Sequence, residues 1–109
     1  MGLVDDERFA QEVAASMRRR GMGRRAGISA LRAKGVAAEV AEVATEEIDQ
    51  GDEETRAEEV ARIRLRRLDG LQPEVARRRL LGFLLRRGFD SDAARAATRR
   101  VLEEQQEAS

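Results

Sequence analysis

Ala30-Leu31-Arg32-Ala33-Lys34-Gly35-Val36 and Phe83-Leu84-Leu85-Arg86-Arg87-Gly88-Phe89 carry the same signal twice. In each, an apolar stretch ends in a basic residue, a glycine and one more apolar side chain. A glycine just past the last turn of a helix takes up the left-handed backbone conformation that closes it, and the apolar residue after it packs back on that turn. Both stretches therefore end a helix at the same kind of corner. The offset that carries Gly35 onto Gly88 also carries Arg24-Arg25 onto Arg77-Arg78, Thr45 onto Thr98 and Ile48 onto Val101. The first helix of each half does not keep it cleanly. The reading is two tandem three-helix units, residues 1–50 and 51–109, forming a short helical repeat.

Outward from the corners, apolar spacing and stop signals delimit six helices. The first runs from Asp5 to Arg20, with Asp5 or Asp6 as its cap and Phe9, Val13 and Met17 as its stripe. Gly21 and Gly23 break the chain. The second runs from Arg24 to Lys34 and buries Ile28 and Leu31; the third runs from Ala37 to Gln50 and buries Val40, Val43, Ala44 and Ile48. After Gly51, Asp52 caps a fourth helix that ends at Leu68, with Ala57, Val60, Ala61, Leu65 and Leu68 inward. Asp69-Gly70 is a turn, and Pro73 suits the first turn of the fifth helix, where a missing N–H costs nothing. That helix reaches Arg87 and buries Ala76, Leu80, Phe83 and Leu84. The sixth, capped by Asp90 or Ser91, runs to Glu104 and leaves a frayed tail from Gln105 to Ser109. Units of this size bury little surface, so the two are expected to lean on each other. The segment Gln50-Gly51-Asp52 is a candidate hinge.

Composition agrees with an all-α class. Ala, Leu, Arg and Glu form helices well, and few β-branched or aromatic residues are present to build sheets. The chain has no Cys and no His. Thiolate and imidazole chemistry is thereby removed, and with it the usual zinc sites, nucleophiles and proton shuttles. No cofactor, small-molecule substrate or catalytic activity is expected. No stretch approaches a membrane span, and Met1–Ala10 lacks the basic start and apolar run of a signal peptide, so the expected location is the cytoplasm. Asp5-Asp6 reads as a helix cap rather than a metal pair, since no other ligand type is nearby.

The formal net charge is zero, yet 39% of residues are charged, so function turns on where each sign lies. Arg18, Arg19, Arg20, Arg24 and Arg25 flank the first break. Arg62, Arg64, Arg66 and Arg67 crowd the end of the fourth helix. Arg77, Arg78 and Arg79 open the fifth, and Arg86 and Arg87 close it. On a helical wheel, Arg78 and Gly82 fall opposite Leu80 and Leu84, while Arg79 and Arg86 lie on the flank near Phe83. In the second helix, Arg25 and Arg32 share a face with Ser29, the counterpart of Gly82. The candidate partner-binding residues are Arg18, Arg19, Arg20, Arg24, Arg25, Arg32, Arg66, Arg67, Arg77, Arg78, Arg79, Gly82, Arg86 and Arg87. Two readings stand beside each other. As a set, the clusters could meet an anionic surface. Singly, arginines in last turns complement the helix dipole, by roughly 0.3–1 kcal/mol each. Gly82 either lets a partner approach the backbone or permits close helix packing. Phe9, Phe83 and Phe89 read as core.

Gly2-Leu3-Val4-Asp5-Asp6-Glu7-Arg8-Phe9-Ala10, the arginine-rich end of the first helix and the two glycine corners together resemble the bacterial regulatory RecX family. The similarity covers nearly the whole chain and falls on the second and third of that family's three three-helix repeats. The resemblance implies an elongated, curved helical array that modulates the RecA recombinase. Such a protein would lie in the groove of the RecA–DNA filament, inhibit its activities and so influence recombination, repair and the SOS response. RecA is then the expected partner, with contact to single-stranded or duplex DNA close by. Two other readings remain open at this point: direct DNA binding by a helix-turn-helix pair, and a helical adaptor for another protein. A net charge of zero, the absence of Tyr and Trp, and no evident base-reading helix weigh against the first of these.

Overall fold

The computed structural model describes residues 6–49 and 52–108, and the side chains of 6–46 and 52–108. The chain runs through α1 (Asp6–Arg19), α2 (Arg24–Ala33), α3 (Ala38–Asp49), α4 (Glu53–Leu65), a 3-10 turn (Arg66–Leu68), α5 (Pro73–Arg86) and α6 (Ser91–Ala108). Among the described residues there is no strand, and no helix is long and apolar enough to cross a membrane. Helices α1, α2 and α3 pack on one another, as do α4, α5 and α6. The protein is thus an all-α array of two three-helix repeats, elongated to 53 × 21 × 19 Å.

The repeated corners form as expected. Gly35 and Gly88 both sit at φ 91°. In the first, Val36 N–H donates to Leu31 C=O and Gly35 N–H to Arg32 C=O, each at 3.0 Å. In the second, Phe89 N–H reaches Leu84 C=O at 3.1 Å and Gly88 N–H reaches Leu85 C=O at 3.0 Å. These paired bonds satisfy carbonyls that a helix end would leave open. Val36 and Phe89 are buried against the turns they close. A third corner of the same kind ends α1, where Gly21 has φ 75° and Met22 N–H bonds Met17 C=O at 3.0 Å.

The first unit closes around Ala10, Leu31, Val36, Ala41 and Ala44. The second closes around Ala57, Ala61, Leu68, Ala76, Leu80, Leu84, Phe89, Ala94, Ala97 and Val101. Fully burying a Leu or Phe side chain contributes about 1.5–3 kcal/mol, and Leu31, Leu80, Leu84 and Phe89 are each buried completely.

Several expectations require correction. Phe9 is 40% exposed and Val43 52% exposed. In α1 and α3, which pack on each other, the buried apolar positions among the described residues are Ala10, Ala14, Ala41 and Ala44, whose small side chains let the helices approach. Phe9 and Val43 each stand one residue, about 100°, round from one of these alanines. Phe83 is only partly buried. Asp52 precedes α4, but its side chain makes no capping bond. Helix α6 continues past Glu104 to Ala108, supported by an Arg100–Glu104 pair at 3.4 Å and by Arg62 of α4, whose Nη2 lies 2.8 Å from Glu104. Asp5, the Ile48 side chain and Gln50-Gly51 lie outside the described residues, and the expected cap, core contact and hinge there are not described.

Candidate functional site

The units meet through the start of α2 and the end of α5. Gly23 N–H donates to Arg87 C=O at 2.8 Å, and Arg25 N–H to Gly88 C=O at 3.0 Å. The amide end of one helix thus rests on the carbonyl end of the other, a favourable pairing of helix dipoles. Glycine is required on both sides. A Cβ at Gly23 would fall 2.4 Å from the carbonyl carbon of Gly88, and one at Gly88 would fall 2.4 Å from Cβ of Ala26. From α4, the Glu53 carboxylate accepts from Arg24 N–H at 2.7 Å and from Asp90 N–H at 2.9 Å. The buried Arg56 donates to the Met22 carbonyl and lies 5.7 Å over the Phe89 ring.

This joint decides what each arginine can do. Arg24 is occupied: its Nε reaches Thr45 Oγ1 at 3.1 Å, and its Nη2 reaches Glu42 C=O at 3.3 Å and Glu46 at 3.6 Å. Arg87 is half-buried, with Nη1 3.3 Å from Met22 Sδ and its guanidinium 5.2 Å from the Phe83 ring centre. Arg77 pairs with Glu74 at 3.0 Å; its hydrogen bond draws the Glu74 carboxyl below the usual carboxylate range. Arg32 donates to the Val36 carbonyl at 3.3 Å, closing its own corner. Arg20 turns back to Met17 Sδ at 3.9 Å, and Arg18 is exposed. Among the described residues, no carboxylate lies within ion-pair distance of Arg19, Arg25, Arg66, Arg67, Arg78, Arg79 or Arg86, all exposed.

The joint brings the end of α5, with Arg86, to the start of α2, with Arg25; Arg78 and Arg79 lie further back along α5, and Arg32 lies in the last turn of α2. Arg66 and Arg67 stand apart, in the 3-10 turn at the far end of α4. Arg18, Arg19 and Arg20 lie at the end of α1, on the approach to the joint. A methyl group at Gly82 would meet only Arg86 Nη1, at 3.2 Å. Glycine there leaves room for a folded-back guanidinium, and no helix packs close against it.

Sequence reasoning missed Glu53 and Arg56, since nothing local distinguishes them from the other charges of α4. It also left Arg64 out of the candidate site. The Arg64 guanidinium lies 4.4 Å from the Phe83 ring centre, on the same ring that Arg87 covers. Such contacts contribute about 0.5–1 kcal/mol at exposed sites. Arg62 is committed to Glu104 and Glu58. The hydrogen bond from Arg62 holds Glu104 below the usual carboxylate range, with a smaller contribution from Arg100, and Arg62 itself is raised. No group of three acidic, His or Cys side chains that could hold a metal occurs among the described residues.

Comparison with known proteins fits this architecture. Residues 52–98 match the model of the RecX third three-helix domain, and residues 5–44 that of the second. The chain is 38% identical over 108 residues to the regulatory protein RecX of Streptomyces coelicolor, covering 98% of this chain and 57% of that protein. It is 40% identical over 104 residues to RecX of Amycolatopsis mediterranei, covering 94% and 59% respectively. To RecX of Mycolicibacterium vanbaalenii it is 44% identical over 101 residues, covering 86% and 55%. The chain therefore spans little more than half the length of these relatives. No solved structure matches it. With both halves matched in order by successive three-helix domains of one family, and with curated relatives along nearly its whole length, this chain belongs to the RecX family.

Proposed function

We propose that this protein is a non-enzymatic regulator that binds the RecA filament in the cytoplasm and restrains it, without a cofactor of its own. The observation that carries the reading, beyond family membership, is the end-to-end contact of α5 with α2. It holds the exposed arginines of both units on one body 53 Å long. A filament repeats its surface at regular intervals, so a long partner with several separated cations can engage more than one subunit. Each exposed ion pair is worth only about 0–1 kcal/mol, but tethered contacts add. Inhibition is then steric: a rod lying across neighbouring subunits opposes the motions that accompany ATP hydrolysis and strand exchange. DNA phosphate within the filament could meet the outer arginines, and charges that strengthen binding also make it sensitive to salt.

The test is a titration of RecA–single-stranded DNA filaments with purified protein, read by ATP hydrolysis and by co-sedimentation at increasing salt. Inhibition that weakens as salt rises is expected. Reversal of three charges, Arg78→Glu, Arg79→Glu and Arg86→Glu, should abolish binding while circular dichroism remains helical. Full inhibition by that variant would move the docking surface elsewhere. No binding by the unaltered chain would overturn the reading.

A further inference from the structure

Phe83 carries two guanidinium groups, Arg64 from α4 and Arg87 from the end of α5, at 4.4 and 5.2 Å from its ring centre. Neither is in an ion pair with a carboxylate among the described residues. Arg87 instead donates to the weak acceptor Met22 Sδ, and its Nε–H is sealed from solvent without an acceptor. By helical spacing, Arg79 and Arg86 stand on the same flank of α5 as Phe83. A single ring thus holds two like charges in place, and two more lie alongside. The ring's quadrupole offsets only part of that repulsion; a planar anion brought to the edge of the pair would offset much more of it. Guanidinium groups fixed by stacking have already lost the freedom that a surface arginine gives up on binding, so they suit bidentate recognition of an oxyanion.

We infer that Arg64 and Arg87, clamped on Phe83, form a receptor for one carboxylate side chain of an acidic protein segment. This deepens the filament-binding reading and rests on it for the identity of the natural partner. A protein carboxylate fits better than a nucleic-acid strand. A nucleic-acid strand draws its affinity from many phosphate contacts spread along a basic surface, and a chain with a formal net charge of zero offers little long-range attraction for one. A single carboxylate needs only the local pair.

Two labelled probes of equal length, hexaglutamate and hexathymidylate, are titrated against the full chain by fluorescence anisotropy, alongside RecA filaments. Hexaglutamate should bind better than hexathymidylate. Arg64→Gln should weaken both hexaglutamate and filament binding about ten-fold, as expected for losing a charge-assisted contact. Arg64→Lys, which keeps the charge but not the planar fork, should recover only part of the loss. Phe83→Leu, which unclamps both guanidinium groups, should match Arg64→Gln, with helicity checked by circular dichroism. Wild-type affinity in Arg64→Gln, no hexaglutamate binding by the unaltered chain, or preference for hexathymidylate would overturn the inference. If the unaltered chain binds hexaglutamate through Arg64 but ignores the filament, the filament reading fails and the receptor stands. If it binds the filament equally well with Arg64→Gln, the receptor fails and the filament reading stands.

Discussion

The two three-helix units turn the same corner but, among the described residues, enclose different buried clusters. In the first, α2 has 10 residues and its corner buries Val36; in the second, the corresponding α5 has 14, one more turn, and its corner buries Phe89. The cluster of the second unit also extends along α6 to Val101, whereas among the described residues that of the first is built from three alanines, Leu31 and Val36. A cluster that small gives a unit of marginal stability. The first unit is supported at the joint, where Gly23, Arg24 and Arg25 donate their amides to acceptors supplied by the second. The comparison predicts that the second repeat is the more stable platform and that docking on it stabilises the first.

The largest effect that could break this comparison is expected at the two corners. Phe89→Ala should cost about 4 kcal/mol in urea unfolding, as for other fully buried aromatic residues, and Val36→Ala roughly half as much. Equal losses would mean that the units contribute equally. Next is Gly23→Ala. Its methyl group has no space against the Gly88 backbone, and overpacking of this kind costs up to about 3 kcal/mol. Hydrogen exchange should accelerate in α1–α3 while α4–α6 keeps its protection; uniform acceleration would show that the units unfold as one. Glu53→Gln should cost about 1–2 kcal/mol, because an amide cannot accept from both Arg24 N–H and Asp90 N–H as a carboxylate does. The same asymmetry in exchange is expected, at smaller amplitude.

The smallest effect concerns pH and the second unit. Glu104 is depressed by its hydrogen bond from Arg62, and Glu74 by that from Arg77. A carboxylate whose folded value lies below its unfolded value contributes fully above the unfolded value and loses that contribution as pH falls through the folded one. Packing of α4 on α6 should therefore be constant near neutrality and weaken on acidification through and below the ordinary glutamate range. Arg62→Gln should flatten the part of the stability profile due to Glu104. An unchanged profile would show that exposure and salt screen the pair completely.

Much of this architecture was legible in the chain because it rests on local rules. Gly35 and Gly88 announce their corners through the residues around them, and the stripe Ala57, Val60, Ala61, Leu65 and Leu68 was identified from its spacing. Errors arose where size competed with hydrophobicity. Phe9 and Val43 were read as core because they are large and apolar, but α1 and α3 approach along their alanines and leave both at the edge. For the candidate surface, the order of arginines along the chain shows clusters but not which of them are occupied. Arg24, Arg77 and Arg87 look like their neighbours in sequence, yet each has partners in the fold, and those of Arg24 and Arg87 come from distant positions.

Helix type, the glycine corners, the repeat and the absence of thiol and imidazole chemistry follow from the sequence alone, because each depends on a side chain and its near neighbours. The abutment of α5 on α2, the bridging carboxylate of Glu53, the buried Arg56 and the two guanidinium groups on Phe83 were decided only in three dimensions. Apart from Arg87, which stands only four residues from Phe83, each joins residues far apart in the chain, and the local spacing of charges does not indicate which distant backbone or ring will be there to receive them.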